Sequence, residues 1–141
     1  MKKLHFIFDK TTKKAQNLRK LILRKYKNFS PRKSDCIVVA GGDGFMLNTL
    51  KRYSKIKKPF YGINCGTFGF LMNRYVSKNI EKKIIKARRV SINPLELITV
   101  GKNNKKRELM AINEVSLFRV SRQTASLRLK DPSIFSSEEV W

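Results

Sequence analysis

Residues Cys36-Ile37-Val38-Val39-Ala40 form an unbroken apolar run that passes directly into Gly41-Gly42-Asp43-Gly44. A strand with one wet face alternates apolar and polar residues. A run that is apolar throughout fits a strand covered on both faces, as in a parallel sheet flanked by helices. The next residues, Phe45 to Ser54, read as a short helix. Strand, glycine-rich turn and helix start together make an anion site. Glycines let the backbone approach a phosphate, and free N–H groups at the helix start point toward it. Asp43 is unexpected in a simple anion cradle, because it repels phosphate. It makes sense if it binds a metal or takes a proton from an attacking hydroxyl. The structural alternative is a tight turn whose glycines need positive φ.

The flanking segments extend this pattern. Leu4 to Phe8 reads as a strand, and Thr12 to Lys27 as a helix with Ala15, Leu18, Leu21, Ile22 and Tyr26 on its apolar stripe. Pro59 to Asn64 reads as a third strand. Ser77 to Arg88 reads as a helix capped by Ser77, with Ile80, Ile84 and Ala87 along one side. The order β-α-β-α-β-α predicts an α/β fold, a parallel sheet with helices on both faces. The character changes after residue 92. Ile92 to Val100 (broken at Pro94), Glu108 to Ile112, Val115 to Val120 and Ser126 to Leu129 read as strands around a turn at residues 101–106. The expected division is an α/β domain over residues 1–92 and the start of a β-rich, antiparallel domain over 93–141.

Composition narrows the partners. The 141 residues carry a net charge of +22, which suits a polyanion such as nucleic acid, nucleotide or acidic lipid. The basic residues fall along helices and turns, as in Lys13-Lys14 and Lys82-Lys83, without interleaved aromatics. That favours solvated faces over a nucleic-acid groove, and nucleic acid is not the expected partner. No run approaches the ~20 apolar residues that span a bilayer, and the apolar start stops at Asp9 and Lys10. The expectation is a cytoplasmic protein with no membrane partner. Cys36 and Cys65 lack zinc or redox spacing and read as free thiols. His5, the single histidine, reads as structural.

Two further segments carry chemistry. Gly62-Ile63-Asn64-Cys65-Gly66-Thr67-Phe68-Gly69-Phe70-Leu71 follows the third strand. Both glycine loops therefore fall at the C-terminal edge of one sheet, where open α/β folds bind ligands. Gly66 and Gly69 open space there, and Phe70 offers a face to a flat ring. The alternative is an ordinary connection with Phe68, Phe70 and Leu71 in the core, and Phe68 itself reads as core. Asn113-Glu114 interrupts a strand-like stretch. An amide can pair with a nucleobase edge and a carboxylate can accept ribose hydroxyls; a bulge or solvent-facing pair is the competing reading.

Taken together, GGDGFMLNTL from Gly41, YGINCGTFGFLMN from Tyr61, AINEVSLFR from Ala111 and SRQTASLRL from Ser121 resemble the bacterial ATP- or polyphosphate-dependent NAD kinases. The resemblance runs to about Leu129. It implies phosphoryl transfer to the adenosine ribose 2′-hydroxyl of NAD, giving NADP. It implies Asp43 as the catalytic aspartate, with Gly42 and Gly44 shaping the phosphate turn. Phe70 would line the dinucleotide pocket, and Asn113 and Glu114 would contact the nucleosides of NAD. Mg2+ or another divalent metal would accompany ATP or polyphosphate, and the family forms homo-oligomers. Members continue past this point into a larger β-domain, whereas the stretch from about residue 130 to Trp141 departs from the family. The expectation is therefore a C-terminally truncated chain with an apolar face left exposed and a pocket open on one side. Two other readings stand beside this one. The first is a basic nucleic-acid-binding module, suggested by the charge. The second is a lipid-kinase-like fragment, which shares the first turn but gives no reason for Asn113-Glu114.

Overall fold

The computed structural model describes residues 2–75, 79–112, 114–116 and 118, with the backbone of 127–128 and 139–140. Its first part is a three-stranded parallel sheet in the order β1-β2-β3, with β1 at Leu4–Phe8, β2 at Cys36–Gly41 and β3 at Phe60–Asn64. The register sets Phe6 beside Val38 and Ala40 beside Ile63. Side chains alternate across the sheet, so β2 divides its apolar run between two cores. Cys36, Val38 and Ala40 join Leu4, Phe6 and Ile63 on one face; Ile37 and Val39 point to the other. Every residue of β2 is buried, as a continuously apolar central strand requires.

Helices cover both faces. Helix α1 (Lys13–Lys25) lays Ala15, Leu18 and Ile22 on the first face, with Tyr26 packed beside them. Leu21, expected on that stripe, is half exposed. At about 100° per residue it lies near the edge of the arc that Ala15, Leu18 and Ile22 define. Helix α2 (Asp43–Arg52) covers the second face with Met46, Phe45, Leu50 and Tyr53. Helix α3 (Ile80–Lys86) returns to the first face through Ile80 and Ile84. It is shorter than the expected Ser77–Arg88. Asn79 precedes it at φ 58°, ψ 52°, a left-handed conformation that no helix interior admits, so helical geometry begins only at Ile80. The expected cap, Ser77, lies outside the described residues.

Both edges of the sheet are covered by asparagine segments. The Asn28 amide meets β1 like a strand, taking the Phe6 N–H on Oδ1 at 2.9 Å and donating from Nδ2 to the Phe6 carbonyl at 3.2 Å. At the outer edge of β3, Asn73 bridges to Ile63. Such cover removes an exposed template for unwanted strand pairing.

The second part begins with the antiparallel hairpin of β4 (Leu95–Val100) and β5 (Lys106–Ala111), turned at residues 101–105. Pro94 immediately precedes β4 and ends the expected longer strand there. Nearly all hairpin side chains are exposed on both faces, among them Leu95, Ile98, Val100 and Leu109. Residues 114–116 and 118 belong to no strand, contrary to the expected Val115–Val120. Their apolar composition favours a strand, but among the described residues β5 pairs only with β4. Two further short strands, β6 (Leu127–Arg128) and β7 (Glu139–Val140), pair antiparallel. Among the described residues no helix is long and apolar enough to cross a membrane.

Candidate functional site

The C-terminal ends of β2 and β3 lie side by side, with Gly41 paired to Asn64. The two glycine loops therefore leave the sheet together. Past β2 the chain takes an extended conformation at Gly42 (φ −101°, ψ 179°) and starts α2 at Asp43, two residues before the expected Phe45. Glycine is a poor helix former, but a first-turn position such as that of Gly44 tolerates it. Asp43 thus stands in the first turn of α2, with no side chain capping Gly42. The Met46 N–H closes the helix onto the Gly42 carbonyl. The N–H groups of Asp43, Gly44 and Phe45 precede that first helical bond and face outward from the helix start.

The glycines of the turn are not conformational necessities, since no glycine in the chain has positive φ. That removes the tight-turn alternative. Their surroundings differ sharply. A Cβ on Gly41 would strike Phe45 at 2.6 Å, so strand and helix meet too closely there for a side chain. A Cβ on Gly42 or Gly44 would meet nothing within 4 Å. Packing gives neither of these two glycines a reason, and bare backbone beside open space and free N–H donors suits a bound anion.

The Asp43 carboxylate is partly exposed and reaches across to the second loop. Oδ2 accepts the Phe70 N–H at 2.7 Å, and Oδ1 accepts the Leu71 N–H at 3.1 Å. A carboxylate has about four acceptor positions, so roughly two remain for another donor such as a hydroxyl. Gly69 lies against it, and a Cβ there would come within 3.0 Å of Oδ1 and 3.1 Å of Met72. Gly69 therefore serves close approach rather than open space; Gly66 meets nothing closer than 3.5 Å. Phe68 and Phe70 are 89% and 99% exposed, which overturns the reading of Phe68 as core. Leu71 and Met72 are the loop residues that turn inward and pack against the second core. The loop spends its apolar anchoring on 71–72, so its outer phenylalanines stand free.

Other expected residues sort clearly. Glu114 is exposed, and among the described residues no hydrogen bond ties it to Asp43 or Phe70; Asn113 lies outside the described residues. His5 donates from Nδ1 to the Phe29 carbonyl at 2.6 Å, a structural role. Both cysteines are free and buried. Burial pushes the Cys36 thiol up to about 11 and raises that of Cys65, where Lys14 pulls the other way. At the end of β1, burial raises the Asp9 carboxyl. The Thr11 and Thr12 groups that donate to it outweigh this and hold it below its ordinary value. Among the described residues no three His, Cys, Asp or Glu side chains gather to hold a metal. A cavity of about 300 Å³ lies at the other end of α2, lined by Leu50, Ile56, Phe60 and Met110 among others, and does not include Asp43.

The donors to Asp43 were not legible in sequence, because they are backbone groups 27 and 28 residues away. The spacing of Gly69 from the two inward residues that follow it was the available signal.

A parallel α/β layer thus brings an acidic helix start, open glycines and a second loop closing on the carboxylate to one sheet edge, the place where open α/β folds bind ligands. Residues 2–88 match the ATP-NAD kinase N-terminal domain. The chain is 44% identical over 121 residues to the NAD kinase of Rhizobium meliloti (strain 1021), covering 86% of this chain and 46% of that protein. It is 39% identical over 126 residues to the NAD kinase of Brucella suis biovar 1, covering 89% and 49%, and 35% identical over 130 residues to that of Rickettsia bellii, covering 92% and 51%. The chain belongs to the NAD kinase family. It spans about half the length of the curated relatives it matches.

Proposed function

We propose that the chain carries the phosphoryl-transfer site of an NAD kinase, which moves a phosphoryl group from ATP or polyphosphate to the adenosine ribose 2′-hydroxyl of NAD. The observation that supports this best is the Asp43 carboxylate, held between the start of α2 and the second loop with acceptor positions to spare. Asp43 orients the 2′-hydroxyl and takes its proton as the oxygen attacks phosphorus. The N–H groups at the start of α2, beside Gly42 and Gly44, receive phosphate oxygens. Such positioning and charge stabilisation account for most of the catalysis in phosphoryl transfer. Phe70 offers its free face to a flat ring of the dinucleotide. Asn113 and Glu114 hold the nucleoside parts.

The described residues offer no cage for a divalent cation. Mg2+ commonly rides on substrate phosphates with few protein ligands, and here it would accompany the donor phosphates and offset their charge. The division into an α/β domain over 1–92 and a β-rich region beyond it belongs to this reading, as do homo-oligomeric assembly and a cytoplasmic location.

The test is formation of NADP by the purified chain from NAD with ATP or polyphosphate and Mg2+. Turnover that falls about 10²- to 10⁴-fold in Asp43→Asn, with folding unchanged, is the expected result. Turnover that survives the substitution contradicts the assignment.

A further inference from the structure

We propose that Asn73 is a positioning residue for Asp43. It closes the base of the second loop on the edge of β3 and so holds the Phe70 and Leu71 N–H groups where the carboxylate meets them. The functional meaning rests on the reading of Asp43 above; the geometry stands by itself.

Asn73 makes the bridge almost alone. Its backbone N–H and its Nδ2 both donate to the Gly62 carbonyl, at 2.9 and 3.1 Å, and its own carbonyl accepts the Asn64 N–H at 2.8 Å. The other strand of the loop base is fixed as well. The Cys65 N–H donates to the Gly41 carbonyl at 2.8 Å, and the Gly66 N–H to Asn64 Oδ1 at 2.8 Å. The loop is thereby tied to β3 at its Asn73 end and, at its Cys65 end, to Gly41 of β2, the strand that carries the first glycine turn.

From Asn73 to Leu71 is two residues, at most about 7 Å of extended chain, so the bridge leaves little slack at the tip. Each Asp43 oxygen takes one of the two N–H groups. That pair of bonds fixes both the position of the carboxylate and the rotation of its plane. Gly69 sets the approach from the opposite side, and Met72 fills the space beneath, against Gly62 and Gly69. The chain of contacts therefore runs from the Gly62 carbonyl through Asn73 to the orientation of Asp43.

Asn73 is an exposed residue and belongs to neither core, so removing its side chain leaves both cores intact. In the 15N-labelled chain, Asn73→Ala is expected to speed amide exchange at Phe70 and Leu71 roughly three- to tenfold, the equivalent of one hydrogen bond. Exchange across β2 stays unchanged. Asp43→Asn shifts the same two amides, and adding it to Asn73→Ala gives less than the sum of the two, because both act on one network. Asn73→Asp also keeps the backbone bridge but sets a carboxylate oxygen against the Gly62 carbonyl in place of the Nδ2 donor. It gives the same pattern at least as strongly and serves if the alanine variant folds poorly. Unchanged Phe70 and Leu71 amides in both Asn73 variants overturn the proposal. So does loss of protection throughout β2, which marks a merely structural role. No nucleotide enters this experiment, so its failure and a failure of the NADP assay are separate results.

Discussion

Ile37, Val38 and Val39 in β2 are fully buried, whereas Leu95, Ile98 and Val100 in β4 stand 47%, 56% and 59% exposed. Both strands carry large aliphatic residues, although β4 also holds Glu96 and Thr99. What separates them is cover. β2 has a strand on each side and a helix layer on each face, while among the described residues β4 has one partner strand and no helix packed on it. A two-stranded hairpin is marginal without packing. Both described cores lie in the layer, and the Asp43 site stands on its lip.

This contrast can be broken by substitution. Ile37→Ala removes a buried side chain from β2 and is expected to cost about 2–5 kcal/mol in denaturant unfolding. Ile98→Ala in the hairpin stays within about 0.5 kcal/mol. Equal costs would show that the hairpin packs as the layer does. Next in size is a glycine pair within the layer. A Cβ at Gly62 would meet Met72 Sδ at 2.6 Å and the Leu71 carbonyl at 2.9 Å, so Gly62→Ala is expected to cost about 1–3 kcal/mol by overpacking. Gly42→Ala meets nothing and leaves the melting temperature almost unchanged while weakening phosphate binding.

The smallest effect is electrostatic. Because Asp9 is held below its ordinary 3.8 in the fold, its contribution to stability is present above that pH. It is lost as pH falls through the lower folded value. Asp9→Asn removes this part of the acid dependence, a small change because the group is close to solvent. A steeper acid loss in the variant than in the parent would contradict the sign.

How far the sequence discloses this fold depends on how local the cause is. The continuous apolar run of β2 and the spacing of Ala15, Leu18 and Ile22 declare themselves, because burial on one or two faces leaves a periodic trace. The start of α2 is displaced by two residues because glycine is a poor helix former, although a first-turn position accepts it. Phe68 and Phe70 look like core because they are apolar, yet Leu71 and Met72 supply the anchoring. Asn28 and Asn73 are the least legible residues. Each acts through side-chain bonds to backbone 22 or 11 residues away, a relation with no periodic signature. Asp43 was legible as chemistry from its glycine setting, while its orientation depended on those distant bonds.

If Asp43 acts as proposed, a nucleotide phosphate binds at the lip of the parallel layer beside it. Titrating the 15N-labelled chain with NAD and with ATP and Mg2+ tests it directly. Amide shifts are expected to concentrate at residues 42–45 and 66–71, with β4 and β5 unmoved. Shifts confined to the basic turn at residues 102–107, or none at the lip of a chain whose β2 amides are protected, would contradict it.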